Sequence, residues 1–339
     1  MILVTGGLGY LGAHTTVTML DNNFEVLIVD DLSNSSIRVL QGIKKACGKL
    51  PHFEQIDLKD KVKVTQLFKN YNIKGIIHFA AYKVVEESVK KPLEYYDNNI
   101  LSLINLLTVL KNQECRIPFI LSSSCTVYGE PDRLPITEDQ LSKKALTPYG
   151  NTKQICEEIL ADLTKVNANI PVIALRYFNP IGAHASAEIG ELNLGIPQNL
   201  VPFITQSAAG IRGPVTIFGN DYPTKDGTCI RDYIHVVDLA DAHVVALKHL
   251  NTHLDSPAFD VLNVGTGKGT SVLEIVQAFE RVTNVSLRYK IGERREGDVV
   301  ETYADTTKIN YKLGWQATKT LDDALLSAWN WEKKLRGIS

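Results

Sequence analysis

Tyr149 and Lys153 stand four positions apart in Tyr149-Gly150-Asn151-Thr152-Lys153. On a helix that spacing puts a phenol and an ammonium on one face. A free phenol, with a pKa of about 10, is a poor base at neutral pH. A nearby positive charge stabilises phenolate and lowers that value. The expected chemistry is general-base removal of a proton from a substrate hydroxyl by Tyr149, with Lys153 lowering its pKa and holding a cofactor ribose. This spacing alone recurs by accident, so its company matters. Ser122-Ser123-Ser124 ends the apolar run Phe119-Ile120-Leu121, and Ser124 could hydrogen-bond the same substrate oxygen. Serines also end strands as plain turn residues.

A second group points to a dinucleotide. Gly6-Gly7-Leu8-Gly9-Tyr10-Leu11-Gly12 follows the apolar run Ile2-Leu3-Val4 directly. Glycines permit a tight turn, close approach of backbone to a pyrophosphate, and close helix–strand packing. The helix that follows offers N–H groups and partial positive charge to the phosphates. Asp30 ends the next apolar run, Val26 to Val29, 18 residues after Gly12. An acid there accepts from ribose hydroxyls and repels a 2′-phosphate, which favours NAD over NADP. Asp57 closes a third run, Phe53 to Ile56, where with Leu58 it could meet the adenine; a helix N-cap is the alternative for Asp57. Phe79, Ala80 and Ala81 follow the fourth run and could line the cofactor channel.

These residues need a scaffold that brings strand ends together. Further apolar runs lie at Gly75–Phe79 and Val172–Leu175, and helical spacing occurs at His14–Leu20, Val62–Tyr71, Leu101–Leu110 and Thr152–Leu163. Solid Val, Ile and Leu runs mark strands buried on both faces of a parallel sheet. The alternation predicts an α/β fold: a doubly wound parallel Rossmann sheet with a smaller mixed α/β C-terminal substrate domain. The rhythm breaks after about Asn179. Short strands are expected near Val215–Phe218 and Leu287–Tyr289, and helices at Val272–Val282 and Leu321–Leu335.

Composition narrows the classes. The 339 residues are 44% hydrophobic and 22% charged, with a formal net charge of −2. That is ordinary globular composition, and it supplies no basic field for nucleic acid. Five widely spaced cysteines without a Cys-x-x-Cys argue against a disulfide framework or zinc site. The eight histidines are scattered without an H-E-x-x-H, and no metal is expected. There is no apolar run of membrane-spanning length and no signal-peptide pattern, so the expected location is cytoplasmic.

With the glycine turn, the serine run and Tyr149/Lys153, the chain resembles the extended short-chain dehydrogenase/reductases. Longer stretches narrow the likeness: 92–99 (PLEYYDNN), 176–184 (RYFNPIGAH), 218–222 (FGNDY), 231–236 (RDYIHV) and 294–298 (RREGD) are similar to the UDP-glucose 4-epimerases. The resemblance spans Ile2 to about Trp331. It implies an NAD-dependent nucleotide-sugar 4-epimerase that interconverts UDP-galactose and UDP-glucose. Tyr149 takes the 4-hydroxyl proton, Ser124 positions or relays it, the C4 hydride passes to tightly held NAD, the 4-keto sugar rotates, and the hydride returns to the opposite face. The catalytic set is Ser124, Tyr149 and Lys153. Cofactor contacts carry over to Gly6, Gly9, Tyr10, Leu11, Gly12, Asp30, Asn34, Asp57, Leu58, Phe79, Ala80, Lys83, Asn98, Ser122, Tyr149, Lys153 and Tyr177. Substrate contacts carry over to Ser124, Phe178, Asn179, Asn199, Leu200, Phe218, Arg231, Tyr233, Arg295, Asp298 and Thr302. An NAD-binding domain at 1–178, joined by about 232–262, and a UDP-sugar domain at 179–339 are implied. A homodimer through Leu101–Leu110 and Thr152–Leu163 is also suggested, although those helices could simply cover the sheet.

The chain departs from the family pattern in places. Tyr82, Val85 and Glu86 are bulkier than the small residues usual around Lys83. Cys125 replaces a common alanine and reads as a small buried filler. Thr302 stands where a tyrosine is associated with exclusion of N-acetylated sugars and a smaller residue with their admission, so some UDP-N-acetylglucosamine turnover is expected. Three rivals remain. A dehydratase or decarboxylase of the superfamily would need further acid–base groups, usually an Asp-Glu pair after the serine, where Cys125-Thr126 stands. A non-catalytic NAD-sensing scaffold on the same fold would not need the Ser, Tyr and Lys together. An epimerase acting on another nucleotide sugar stays open.

Overall fold

A computed structural model describes residues 1–140, 144–254, 258–295 and 298–338. Two compact units emerge. The first comprises Met1–Gly129, Leu141–Tyr177 and Ala240–Leu262; the second comprises Glu130–Gln140, Phe178–Leu239 and Asn263–Ser339. The later contribution to the first unit is Ala240–Leu262, within the expected 232–262. Glu130–Gln140 joins the second unit, where Ile136 pairs with Ala304 and its carbonyl accepts from Asn263 Nδ2 at 2.8 Å.

The first unit alternates strand and helix: β1 (Ile2–Thr5), α1 (Tyr10–Asp21), β2 (Val26–Asp30), α2 (Val39–Cys47), β3 (His52–Gln55), α3 (Lys61–Asn70), β4 (Gly75–His78), α4 (Val85–Lys90), α5 (Pro92–Leu110), β5 (Phe119–Ser122), α6 (Pro148–Val166) and β6 (Val172–Tyr177). The sheet has seven strands, with Phe259–Val264 at one edge followed by β6, β5, β4, β1, β2 and β3. β1 pairs in parallel with β2 and β4, β2 with β3, β4 with β5, and β5 with β6. Strand order reverses between β1 and β4, and such a switch point opens a ligand crevice at the carboxyl ends of the strands. β1, β2, β4 and β5 are buried throughout because helices cover a sheet of solid aliphatic residues. β3, at the other edge, is only partly covered. It stops at Gln55, so Asp57 does not end a strand as expected. Its Oδ1 instead accepts from Lys59 N at 2.8 Å, and the N-cap of α3 is Asp60.

The expected helices lie inside longer ones or within a residue of their ends. α6 starts at Pro148 because Thr147 accepts from Gly150 N at 3.3 Å and caps it. α5 starts at Pro92, a turn and more before its apolar stripe. Its first half buries Asn98, Asn99 and Ser102, so hydrophobic periodicity could not reveal it.

The second unit is built from short pieces. Asn179–Ile181 pairs in parallel with Tyr233–His235, and Val215–Phe218 with Tyr289–Gly292. Ile230–Arg231 lies between Thr270–Ser271 and Glu301–Thr302. The strand expected at Leu287–Tyr289 begins only at Tyr289, because Leu287 turns into the core formed by Ile204, Ile275, Phe279 and Leu325. Capping boxes at Ser271/Glu274 and Thr320/Asp323 start the helices Val272–Thr283 and Leu321–Arg336. The helix Val236–Thr252 was not foreseen. Much of its circumference is buried, including Leu239, Ala242, Val244, Ala246 and Leu247, and a helix covered on most sides shows little amphipathic period. No helix among the described residues is long and apolar enough to cross a membrane.

Candidate active site

The glycine turn joins β1 to α1. Gly6 has φ +65°, in the left-handed region, and a Cβ there would come within 2.8 Å of Ala80 N. A Cβ on Gly12 would run into the Gly6 carbonyl. No side chain caps α1, so first-turn N–H groups, which lack carbonyl partners within a helix, suit phosphate oxygens. Leu8 N donates to Asp30 Oδ2 at 3.0 Å. Asp30 Oδ1 accepts from Leu32 N at 3.0 Å and from Ser35 Oγ at 2.7 Å. Asp30 thus ties the glycine turn to the end of β2. Asn34 is exposed in the loop after β2. Leu58 is core-buried, and its carbonyl accepts from Asn105 Nδ2 at 3.0 Å.

Beside the turn, Phe79 N donates to Thr5 O at 3.1 Å, which sets Phe79 and Ala80 against the end of β1. Lys83 Nζ lies 5.9 Å from the Tyr10 ring centroid, above the start of α1. Its loop is held by Asn99, the last residue of the 92–99 stretch. Asn99 Oδ1 accepts from Tyr82 N at 2.8 Å, and Asn99 Nδ2 donates to Tyr82 O at 3.1 Å and to Thr152 Oγ1 at 3.0 Å. Asn98 is buried and donates to Asn99 Oδ1 at 3.1 Å. The bulky Val85 and Glu86 sit at the start of α4; Val85 is exposed, and Glu86 pairs with Lys90 at 2.6 Å on the surface.

β5, β6 and α6 bring the reactive side chains together. Ser124, Tyr149 and Lys153 are all buried. Ser124 lies two residues past β5 and caps the 3-10 turn Cys125–Tyr128, accepting from Thr126 N at 3.2 Å and Thr126 Oγ1 at 3.0 Å. The Ser124 and Tyr177 hydroxyls are among the groups that act on the Tyr149 phenol. Ser122 Oγ donates to the Tyr177 phenol oxygen, Oη, at 3.2 Å. Cys125 is half-buried rather than a buried filler. His243, a residue not singled out, packs against Phe79 and Tyr177 with centroids 4.7 and 6.3 Å away.

The electrostatics correct one expectation. The Lys153 ammonium does not rest on the phenol: it donates to Ser122 O at 2.8 Å and lies 6.0 Å from the Tyr149 ring centroid. Burial, followed by the neighbouring Tyr177, pushes the Tyr149 phenol well above its ordinary value rather than below it. Burial likewise lowers Lys153 and holds His78 at about 3, a neutral ring bonded to Thr5 Oγ1 at 2.8 Å. Desolvation of a charged form outweighs an attraction across that distance.

In the second unit a cationic group forms around Asp298. Arg295 Nε and Nη2 donate to its carboxylate at 3.0 and 3.2 Å, and Arg231 Nη2 lies 3.7 Å from it. The Arg295 guanidinium stands 4.9 Å above the Phe218 ring. Thr302 is opposite Arg231 in the strand register, and Tyr233 is opposite Asn179. Burial raises Tyr233 to about 12. Asn199 precedes the helix Leu200–Ala208 and donates to Glu191 Oε1 at 2.8 Å; Leu200 packs on the unit's core. Phe178 is buried and donates its N–H to Val264 O at 3.1 Å. Glu296 and Gly297, part of the 294–298 motif, lie outside the described residues.

A sheet of this order, with its glycine turn, Asp30 and Ser–Tyr–Lys set, defines an extended short-chain dehydrogenase/reductase. The family model described as GDP-mannose 4,6 dehydratase matches residues 3–327. A UDP-glucose 4-epimerase of Bacillus subtilis is 46% identical over 331 residues, covering 98% of this chain and 96% of the relative. The crystal structure of the UDP-glucose 4-epimerase from Stenotrophomonas maltophila, with bound NAD and formylated UDP-arabinopyranose, matches with a TM-score of 0.95 at 44% identity, over 99% of this chain and 98% of that one. That from Bifidobacterium longum, in complex with NAD+ and UDP, matches with a TM-score of 0.93 at 43% identity over 98% of each chain. The chain belongs to this family and, within it, to the UDP-glucose 4-epimerases.

Proposed function

We propose that the chain interconverts UDP-galactose and UDP-glucose by inverting C4 of the sugar. The observation that carries this reading is the burial of Ser124, Tyr149 and Lys153 together, with Lys153 one turn beyond Tyr149 on the same helix and its ammonium 6.0 Å from the phenol ring centroid. The glycine cradle fits a dinucleotide, since Gly6 and Gly12 have no room for a Cβ. Gly6, Gly9, Tyr10, Leu11 and Gly12 would hold the pyrophosphate, Asp30 and Asn34 the adenosine ribose, and Asp57 with Leu58 the adenine. Phe79, Ala80, Lys83, Asn98, Ser122 and Tyr177 would line the nicotinamide half. When bound, NAD would accept the C4 hydride and return it to the opposite face.

Tyr149 takes the proton from the 4-hydroxyl and later gives it back. Ser124 relays or positions that proton. Lys153, anchored on Ser122 O, supplies positive charge beneath the reacting oxygen and a donor for the cofactor ribose. Arg231 and Arg295 present planar forks suited to a diphosphate, and Asp298 accepts from the uridine ribose. Phe178, Asn179, Asn199, Leu200, Phe218 and Tyr233 complete the nucleotide-sugar contacts.

A dehydratase reading is weaker, because Cys125 and Thr126 follow Ser124 and neither carries a carboxylate; Thr126 Oγ1 donates to Ser124 itself. The medium-sized Thr302 supports some turnover of UDP-N-acetylglucosamine. Leu101 and Ile104 leave apolar side chains exposed on α5, which supports a homodimer through α5 and α6; sedimentation as a monomer at micromolar concentration would refute it. Free thiols at all five cysteines suit the cytoplasm. The reading is tested by incubating purified protein with UDP-galactose and no added cofactor. We expect UDP-glucose to form, and Tyr149→Phe to lose the activity. No conversion by the wild type, even with NAD added, sinks the substrate assignment.

A further inference from the structure

Beside the Ser–Tyr–Lys group lies a buried ion pair whose hydrogen bonds go to none of its functional atoms, although the Glu157 charge acts on Lys153. Glu157 lies on α6, one turn beyond Lys153 and two beyond Tyr149. Arg176 lies on β6 immediately before Tyr177. Arg176 Nη2 donates to Glu157 Oε2 at 2.6 Å, and Arg176 Nε donates to Oε1 at 3.0 Å and Oε2 at 3.3 Å. Ser123, between Ser122 and Ser124, donates its hydroxyl to Glu157 Oε1 at 2.5 Å. The Arg176 guanidinium stands 4.7 Å above the ring of Tyr128, the last residue of the turn that Ser124 caps. Glu157, Arg176 and Ser123 are 6%, 7% and 0% exposed.

One carboxylate therefore holds the neighbours of every reacting group: Ser123 beside Ser124, Arg176 beside Tyr177, and the helix that bears Tyr149 and Lys153. Stability does not account for this arrangement, since replacing a buried ion pair by apolar residues of similar volume is often neutral or stabilising. Apolar contacts, however, are non-directional. They would not set how far α6 slides along β5 and β6, whereas a two-pronged guanidinium–carboxylate bond with a third donor does.

We infer that Glu157, Arg176 and Ser123 are positioning residues that set the register of α6 against β5 and β6, and so the spacing of Ser124, Tyr149, Lys153 and Tyr177. The inference rests on the epimerase reading for its kinetic test. Displacement by about 1 Å is enough to cost roughly a hundredfold in rate.

The test compares wild type with Ser123→Ala and with the volume-preserving pair Glu157→Leu/Arg176→Met. In the folded pair variant, kcat on UDP-galactose should fall at least about tenfold while KM stays within about twofold of wild type. The acid limb of its kcat–pH profile should move, because the surroundings of the Tyr149 phenol change. Ser123→Ala, which removes a single donor, should show the same pattern on a smaller scale and decides the matter if the pair variant does not fold. Wild-type kcat with an unmoved pH profile in Ser123→Ala, or in the folded pair, overturns the proposal. Crystal structures of the variants give a reading free of substrate. The 2.8 Å contact from Lys153 Nζ to Ser122 O should lengthen, and its retention in both variants overturns the inference. Failure of the wild type to convert UDP-galactose would sink the substrate assignment and leave this structural comparison to judge the positioning role.

Discussion

Tyr149 shows how environment changes what a residue type suggests. Its spacing from Lys153 implied a lowered phenol, yet burial holds the phenol high and the ammonium is engaged by Ser122 O. A base with a raised pKa is mostly protonated at neutral pH, and its reactive share grows about tenfold for each pH unit climbed. We therefore expect kcat/KM on UDP-galactose to rise with pH from about 6 to 9. A flat profile across that range would show that the phenol is already ionised in the working enzyme. Thr302 carries a separate prediction. Wild type should turn over UDP-N-acetylglucosamine measurably, and Thr302→Tyr should lose that activity while keeping UDP-galactose conversion. No turnover of the N-acetylated substrate at high wild-type concentration would remove the idea.

At the scale of elements, the glycine turn and the start of α6 place the chemistry. Gly12 packs so closely under Gly6 that Gly12→Ala must displace backbone. That variant should bind NAD at least about tenfold more weakly, since a 1.4 kcal/mol loss of binding is tenfold in Kd. The Kd for NAD of protein stripped of cofactor is the readout, and a wild-type value in the variant would contradict the cradle. Thr147 caps the helix on which Tyr149 occupies the first turn. Thr147→Ala should cost about 1 kcal/mol of stability in urea unfolding, with a fall in kcat as that turn frays. An unchanged midpoint would mean that the cap is redundant. The ends of elements were the hardest part to read in advance. β3 stops before Asp57, and α5 begins at Pro92, because a cap or a row of buried asparagines leaves no apolar rhythm.

Over the whole molecule, buried neutral histidines make stability depend on pH. Burial lowers His78 to about 3 and His235 to about 4, against an ordinary 6.5. Between those values the unfolded chain binds protons that the native chain does not. Stability is therefore full above about pH 6.5 and falls on acidification, by about 1.4 kcal/mol per histidine per pH unit once well inside the window. Buried Asp232 and Glu138, whose carboxyls are raised, act in the opposite sense toward the acid end. The denaturation midpoint should drop from pH 7 to 5, and His78→Gln should reduce that drop. Equal slopes in variant and wild type would mean that His78 does not govern it.

Sequence alone determined the alternation of β1 to β6 with α1, α3, α5 and α6 in the first unit, the glycine turn, Asp30 and the Ser–Tyr–Lys group, but not α2, α4 or the helix and strand between 236 and 264. Each is written in local spacing: aliphatic runs, a turn that only glycine allows, and a four-residue helical step. Only the tertiary structure decided what surrounds those groups. Glu157, Arg176 and Asn99 are far apart in the chain from many of the side chains they hold, and as single polar residues they carry no pattern of their own. The same holds for the height of the Tyr149 pKa, which depends on how much water the folded chain removes from the phenol, a quantity that no local spacing encodes.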